Sequence, residues 1–482
     1  MDRLREADQP PQPEVQGLYQ GRPLEITLSD GSVKTLLLEP SNLLAEDFEI
    51  SIGQEGDSVL SDTHTFSGWL FSNEVLVPSP VTLVIVDGQA SGSWLSAEGR
   101  ETVLQWTLGS PEITLLERSA QSFESQWEDH TEGRRACVLA AKGESPRQDS
   151  TLMTSGSIQL VAAAQGGLEP ATDQPTRYIN RIPASEAYEL SLKDIEILLV
   201  LDKAATGEND PEHLKRVASQ WLATAANVAT VYENQLGIRL RVQELILTPN
   251  DPIFEDIPFD NKVLSDFELW LGIHRPWSTH RWDSAFKVGK GLATGELGSA
   301  YVASLGRSDS IGAIEVGTGW DTLAHELGHS LGSDHTLGGL MNQSANGGGD
   351  RDFFTDVMDL TRVTAARQIY DHSASRLSGE AVMRHPQEIP FAQNDFRVVP
   401  LDESIRFNPT LNDRRSVRYG TINQSLSLDS VSLIRPPEAG QLHHDGQILT
   451  FTPALGFEGP VWFSYALRGS VGNDGQGWLH RG

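Results

Sequence analysis

The sequence predicts a multidomain chain: an α+β domain at residues 191–390, an all-β domain before it at 21–120, and a β-sandwich after it at 391–482. Three observations lead there. Residues 195–242 read strand, helix, strand, with apolar residues first nearly continuous and then at helical spacing. Residues 21–120 and 391–482 run instead through short alternating stretches bounded by Gly, Asp, Asn and Pro, the pattern of small antiparallel sheets. Between them, His325-Glu326-Leu327-Gly328-His329-Ser330-Leu331-Gly332-Ser333-Asp334-His335 puts two histidines four residues apart, on one face of a helix and about one turn from each other.

Taken in order, residues 1–20 are polar and proline-containing and are expected to be flexible. Leu24–Leu28, the turn Ser29-Asp30-Gly31 and Val33–Leu38 predict a hairpin. Val81–Val86, Asp87-Gly88 and the run to Ser93-Trp94-Leu95 predict another. Residues 121–190 lack periodicity, are rich in Gly, Ser, Gln and charge, and are expected to form a linker. They hold the chain's one cysteine, Cys137, and a stretch at 175–183 whose Arg177 and Arg181 offer sites for proteolytic release.

In the central domain Ile195–Leu201 is almost wholly apolar and is expected to be a strand buried on both faces. Asn209-Asp210-Pro211 supplies a cap and a first-turn proline. Leu214, Val217, Ala218, Trp221, Leu222, Ala225, Val228, Ala229 and Tyr232 then recur at helical spacing, which makes them core, and Gly237 ends the helix. Ile238–Val242 returns as a strand, so parallel pairing through a right-handed crossover is expected. Further expectations are a helix near Asn261–Gly272, strands at Asp283–Val288, Gly298–Ala303 and Ser310–Val316, and a last helix at about Asp359–Ser375.

Two imidazoles one helical turn apart can reach a single zinc ion, and Glu326 beside the first can reach a water on that metal without ligating it. Thr318 is expected to cap the helix, with Asp321 three residues on. Gly332 can take the left-handed conformation that ends it. The chain then turns and delivers His335 as a third nitrogen ligand. Three protein ligands leave one position open, the arrangement of a catalytic rather than a structural zinc site. His274, His280 and His372 stand outside this spacing and are expected to be surface or satisfied core residues.

The stretch fills every fixed position of HExxHxxGxxH and resembles the signature of the metzincin zinc metalloendopeptidases. The resemblance implies a catalytic domain with a twisted mixed sheet and an active-site helix. It implies one catalytic Zn2+ held by His325, His329 and His335, and Glu326 as the base that activates its water. It also implies a methionine turn beneath the metal. Met341, in Gly338-Gly339-Leu340-Met341-Asn342, fits that role with a short loop; Met358 is the rival. The strand at 298–303 is expected to be a sheet edge that pairs with an extended peptide substrate. His64-Thr65-Phe66-Ser67-Gly68 resembles an element of the propeptides of adamalysin (reprolysin)-like metzincins, which implies a propeptide-like domain at 21–120 and a latent zymogen. Cys137 is then a candidate latency ligand for the open zinc position, with an ordinary buried cysteine as the alternative. Residues 391–482 resemble the cadherin-like or immunoglobulin-like modules of bacterial surface proteins. The function so implied is zinc-dependent endoproteolysis in a secreted or cell-surface protein. The alternative is a catalytically silent metzincin domain within an adhesion protein.

Composition narrows the partners. With 37 basic and 66 acidic residues the chain carries −29, which argues against nucleic acid and against anionic membranes. A single cysteine excludes an intrachain disulfide. No apolar run approaches the ~20 residues of a membrane span. The charged start, Met1-Asp2-Arg3-Leu4-Arg5-Glu6, lacks the apolar core of a signal peptide, so an internal location or a missing leader is expected. A Ca2+ site is conceivable in the acidic, glycine-rich loop at 347–352, but its spacing falls short of a calcium loop and a plain loop is favoured.

Overall fold

The computed structural model describes residues 13–19, 22–41, 43–53, 58–60, 62–72, 75–95, 101–118, 123–130, 134–141, 152–160, 193–236, 238–250, 262–280, 282–290, 296–333, 335, 340–341, 399, 402–411, 424–435, 439–457, 461–471 and 477–481. The first part of the chain forms helix α1 (Pro13–Tyr19) and strands β1 (Leu24–Leu28), β2 (Val33–Pro40), β3 (Leu44–Ile52), β4 (Ser58–Leu60), β5 (Thr63–Ser72), β6 (Val75–Val86), β7 (Gln89–Leu95), β8 (Glu101–Thr107), β9 (Glu112–Arg118), β10 (Phe123–His130), β11 (Arg134–Ala141) and β12 (Leu152–Leu160). A closed barrel runs β1-β12-β9-β8-β7-β6-β5-β2. The two hairpins foreseen in it are present: β1 pairs antiparallel with β2, and β6 with β7 across Asp87 (φ 44°) and Gly88 (φ 84°). Both turn residues have positive φ, as the tightest hairpin turns require.

The barrel corrects two expectations. Residues 13–19 are helical, because Val15 and Leu18, three apart on one helix face, bury themselves in the barrel core beside Leu24 and Phe66. Residues 123–160, read as part of a linker, hold three strands. β12 closes the barrel between β1 and β9, while β10 and β11 leave it. β10 and β11 pair with each other over eight residues, while β12 finds its partners β1 and β9 far from it in the chain, which local pattern does not record.

Two excursions therefore depart from the barrel between strands that are neighbours within it. β3–β4 leaves between β2 and β5, and β10–β11 between β9 and β12. Each joins one end of a second sheet. That sheet contains β13 (Lys193–Leu201), β14 (Ile238–Leu247), β15 (Ser284–Gly289), β16 (Glu296–Tyr301) and β17 (Ile311–Glu315), in the full order β10-β11-β16-β17-β15-β13-β14-β3-β4. β13 pairs parallel with β14 and β15, and β15 parallel with β17; β16 is antiparallel to β17. The sheet is thus mixed, and it contains the expected parallel β13–β14 unit.

The helices are α2 (Lys203–Thr206), α3 (Pro211–Leu236), α4 (Val263–His274), α5 (Trp277–His280) and α6 (Trp320–Ser330). β13 shows why its run is apolar on both faces. Ile195, Ile197, Leu199 and Leu201 enter one core with Leu214, Trp221, Leu222 and Tyr232 of α3 and Leu323 and Leu327 of α6. Leu198 and Val200 enter the other with Leu264, Phe267 and Leu271 of α4. Asp210 caps α3 through a 2.8 Å bond from the His213 amide to its Oδ2.

β6 has the same two-faced character. Leu83 and Ile85 point into the barrel core, and Val84 and Val86 join the core of α3. The contact between barrel and α3 also carries buried polar pairs: Ser91 with Ser219 at 2.8 Å, and Thr82 donating to Asn227 Oδ1 at 3.2 Å. Leu43 and Ile50, from the β3 excursion, complete the same core. The first part of the chain is built into the central sheet rather than strung ahead of it.

The last part forms β18 (Ile405–Phe407), β19 (Gln424–Arg435), β20 (Gly440–His444), β21 (Leu449–Pro453), β22 (Trp462–Val471) and β23 (Gly477–Arg481). They make two sheets, β18-β21-β20 and β19-β22-β23, which share one apolar cluster of Leu428, Leu449, Phe451 and Tyr465. Among the described residues no helix is long and apolar enough to cross a membrane. The helix expected at 359–375, the Met358 turn and the 347–352 loop lie outside the described residues.

Candidate metal centre

α6 delivers the site. Its start differs from expectation: Gly319, not Thr318, is the first flanking residue, and it makes no side-chain cap. The Thr318 hydroxyl is spent on the Glu315 carbonyl at 2.8 Å, and Asp321 Oδ1 accepts from the amide of its neighbour Thr322 at 2.9 Å. The helix is held by burial instead; all its residues except Asp321 are buried.

His325 and His329 lie one turn apart on α6. Both rings are fixed from behind: His325 Nδ1–H donates to the Leu340 carbonyl at 2.8 Å, and His329 Nδ1–H to the Ser333 carbonyl at 2.7 Å. Protonation at Nδ1 leaves both Nε2 atoms as bare lone pairs, and these face each other at 2.9 Å. Gly332, at φ 100°, reverses the chain after the helix. Its amide bonds to the His329 carbonyl at 2.8 Å, and the Ser333 amide to that of Gly328 at 2.9 Å. That turn aims the Ser333 carbonyl back at His329 and brings His335 round. One ligand-capable atom from each of His325, His329 and His335 lies within 4.8 Å of the others.

This donor set suits zinc. Tetrahedral nitrogen ligands at ~2.0–2.1 Å from the metal stand roughly 3.3 Å apart. The imidazoles must be neutral to bind, and burial depresses the pKa of His325 to about 4, against a smaller opposing effect of its bond to Leu340. The ring therefore stays neutral through the physiological range.

Leu340 and Met341 belong to the core shared by α3 and α6. Met341 is fully buried in the core of α3 and α6, and the carbonyl before it orients His325. Glu326, also fully buried, has neither carboxylate oxygen hydrogen-bonded among the described residues. Burial raises its pKa well above that of an ordinary glutamate. Tyr232 of α3 ties down the same turn of α6, its hydroxyl donating to the Ala324 carbonyl at 2.7 Å. Burial, and then the Glu326 charge, push that phenol well up.

β16 runs alongside, but it is not an edge. β11 pairs with it antiparallel, setting Cys137 opposite Ala300, Val138 opposite Ser299 and Leu139 opposite Gly298. The expectation of a free edge at 298–303 fails because the chain covers that edge with a hairpin of its own. Cys137 is placed by its backbone only, on the strand next to β16. The other histidines stand apart: His274 packs on Trp270, ring centroids 4.7 Å apart, and His280 bonds to Thr279. His372 lies outside the described residues.

Sequence reading missed three features here: the hydroxyl of Tyr232, the glycine at 298 and the β11–β16 pairing. Tyr232 sat in an apolar helical stripe and read as core, with nothing to single out its hydroxyl. The other two depend on which distant segments meet.

The fold and the three-histidine cluster define a candidate metallopeptidase-like domain, and one family model agrees. Residues 191–351 match Reprolysin_5, metallo-peptidase family M12, whose peptidases use zinc. Among solved structures the chain is similar to metalloproteinase-II from Bacteroides fragilis, at 10% identity and a TM-score of 0.35 over 70% of this chain and 88% of that one. It is also similar to a chain in the structure of a chaperone–substrate complex, at 19% identity and a TM-score of 0.24 over 30% of this chain; the match spans only 24% of that chain. No curated protein sequence matches.

Proposed function

We propose that the chain is a zinc-dependent metalloendopeptidase that is held latent by its own N-terminal part. The observation that carries the peptidase reading is the convergence of His325, His329 and His335, each a potential ligand, on a helix whose Glu326, next in the chain to His325, is fully buried. Those three histidines would hold the metal. Bound there, zinc supplies Lewis acidity, which polarises the scissile carbonyl and makes water a better acid. Glu326 takes the proton of the attacking water and passes it to the departing amine nitrogen. A raised pKa suits that double duty, because the carboxyl must hold the proton briefly and release it again. Leu340 and Ser333 keep the histidine rings turned inward, and Met341 gives the site an apolar floor.

Latency has its own support. β16 passes next to Glu326, and an extended peptide could reach that carboxylate by pairing with β16. The place for such a strand is taken by β11, so a substrate has to displace it. Cys137 lies on that same strand, opposite Ala300. Pairing of the backbone and ligation by the thiol are separable means of inhibition.

The experiment is zinc content and peptidase activity of the 1–482 chain before and after limited proteolysis between about 140 and 190. About one zinc per chain, with turnover appearing after the cut, is the expected result. A chain that binds no zinc overturns the peptidase reading; equal turnover before and after overturns latency alone.

A further inference from the structure

Gly298 has an ordinary backbone, outside the left-handed region that favours glycine. Its missing side chain matters for a different reason. A Cβ built there would lie 2.6 Å from Glu326 Oε1, 2.9 Å from its Cγ and 3.0 Å from its Cδ. Real Cβ atoms essentially never come within 3.0 Å of a neighbour. The conflict runs along the Glu326 side chain, so swinging the terminal oxygens aside does not relieve it.

Neither main chain is free to retreat. β16 is held by its ladder to β17 and, in the uncut chain, also by β11. α6 is pinned by the Tyr232 hydroxyl at Ala324, and by the amides of Ala303 at the His329 carbonyl and of Ser304 and Leu305 at the Ser330 carbonyl. In a close-packed interior the element that gives way is the side chain. Any residue larger than glycine at 298 therefore moves the Glu326 carboxylate.

We infer that Gly298 is a positioning residue: the volume of its absent side chain is reserved for the Glu326 carboxylate, which it holds at the place where proton transfer occurs. This rests on the peptidase reading for its kinetic consequence, but the steric coupling of the two residues does not. Gly298 acts only through Glu326; it offers no group to substrate or metal.

The test is a double-mutant cycle on the full 1–482 chain, assayed after the same limited proteolysis as the parent. The variants are Gly298→Ala, Glu326→Ala and both together. Misplacing a catalytic group by about 1 Å costs on the order of 10²-fold in rate. Gly298→Ala is expected to lower kcat by about that factor, with KM and zinc stoichiometry unchanged. In the Glu326→Ala background the same change is expected to leave the residual rate where it was, because the side chain it obstructs is gone. An unchanged kcat in Gly298→Ala overturns the inference. So does an equal proportional loss in both backgrounds, which is the mark of a general structural role. Should Gly298→Ala fail to fold or to bind zinc, the double variant decides: recovery of folding and zinc supports space reserved for Glu326, and continued failure overturns it. A parent chain without zinc or turnover defeats the peptidase reading instead. Thermal unfolding of the zinc-free single and double variants then still reads the coupling, and additive losses in Tm overturn it.

Discussion

Breaking the β11–β16 ladder by proline should switch the uncut chain on. β11 meets β16 over five residue pairs, Ala136–Tyr301, Cys137–Ala300, Val138–Ser299, Leu139–Gly298 and Ala140–Glu296. An antiparallel ladder of that length carries about five backbone hydrogen bonds, each worth about 1 kcal/mol net, or about 5 kcal/mol in all. At 1.4 kcal/mol per decade that closes the site by a factor of roughly 10³–10⁴. Proline removes one donor and disturbs the neighbouring bonds, a loss of about 2–3 kcal/mol. Val138 and Leu139 are adjacent, so one amide points toward β16 and the other toward β10. Val138→Pro and Leu139→Pro together sample both sides of the strand. At least one should raise the turnover of a fluorogenic peptide by uncut chain about 30–150-fold, with zinc content unchanged. Both variants remaining silent, while Cys137→Ser releases activity, would refute the ladder as the latch and assign latency to the thiol.

Further expectations follow from the site. Glu326→Ala should keep about one zinc per chain and lose roughly 10²–10⁴ in kcat; metal analysis beside a peptide assay checks it, and normal turnover would sink the role given to this residue. Tyr232→Phe removes the bond to the Ala324 carbonyl and should lower stability by about 1 kcal/mol in denaturant titration; an unchanged midpoint would show that the hydroxyl does not pin α6. In the zinc-free protein His325 has a folded pKa of about 4 against 6.5 unfolded. As pH falls from about 6.5 to 4 the unfolded chain takes up a proton that the folded chain refuses, so stability falls, by about 3 kcal/mol at 1.36 kcal/mol per pH unit. Replacing His325 with glutamine should flatten the curve in that window, and a curve of unchanged slope would contradict the buried, neutral ring.

How much could be read in advance depended on how local each cause was. His325, His329, Gly332 and His335 fall within eleven residues, and the convergence of the three histidines follows from helix geometry and one left-handed glycine. The apolar run of β13 and the stripe of α3 were legible because burial on both faces, or on one helical face, writes itself directly into residue order. Thr318 misled because a threonine before a helix can spend its hydroxyl on a preceding turn as readily as on a helix amide, and only the backbone path decides. β10 and β11 were invisible for a stronger reason. They pair with each other as a hairpin, but the ladder that joins β11 to the central sheet is made with β16, more than 150 residues later in the chain, and nothing within 123–141 records that partner. The β10–β11 hairpin meets β16 over five residue pairs only and keeps its own eight-pair ladder when it leaves, so a competing strand or a cut can displace it as a unit, which is the property the proposed reversible cover requires.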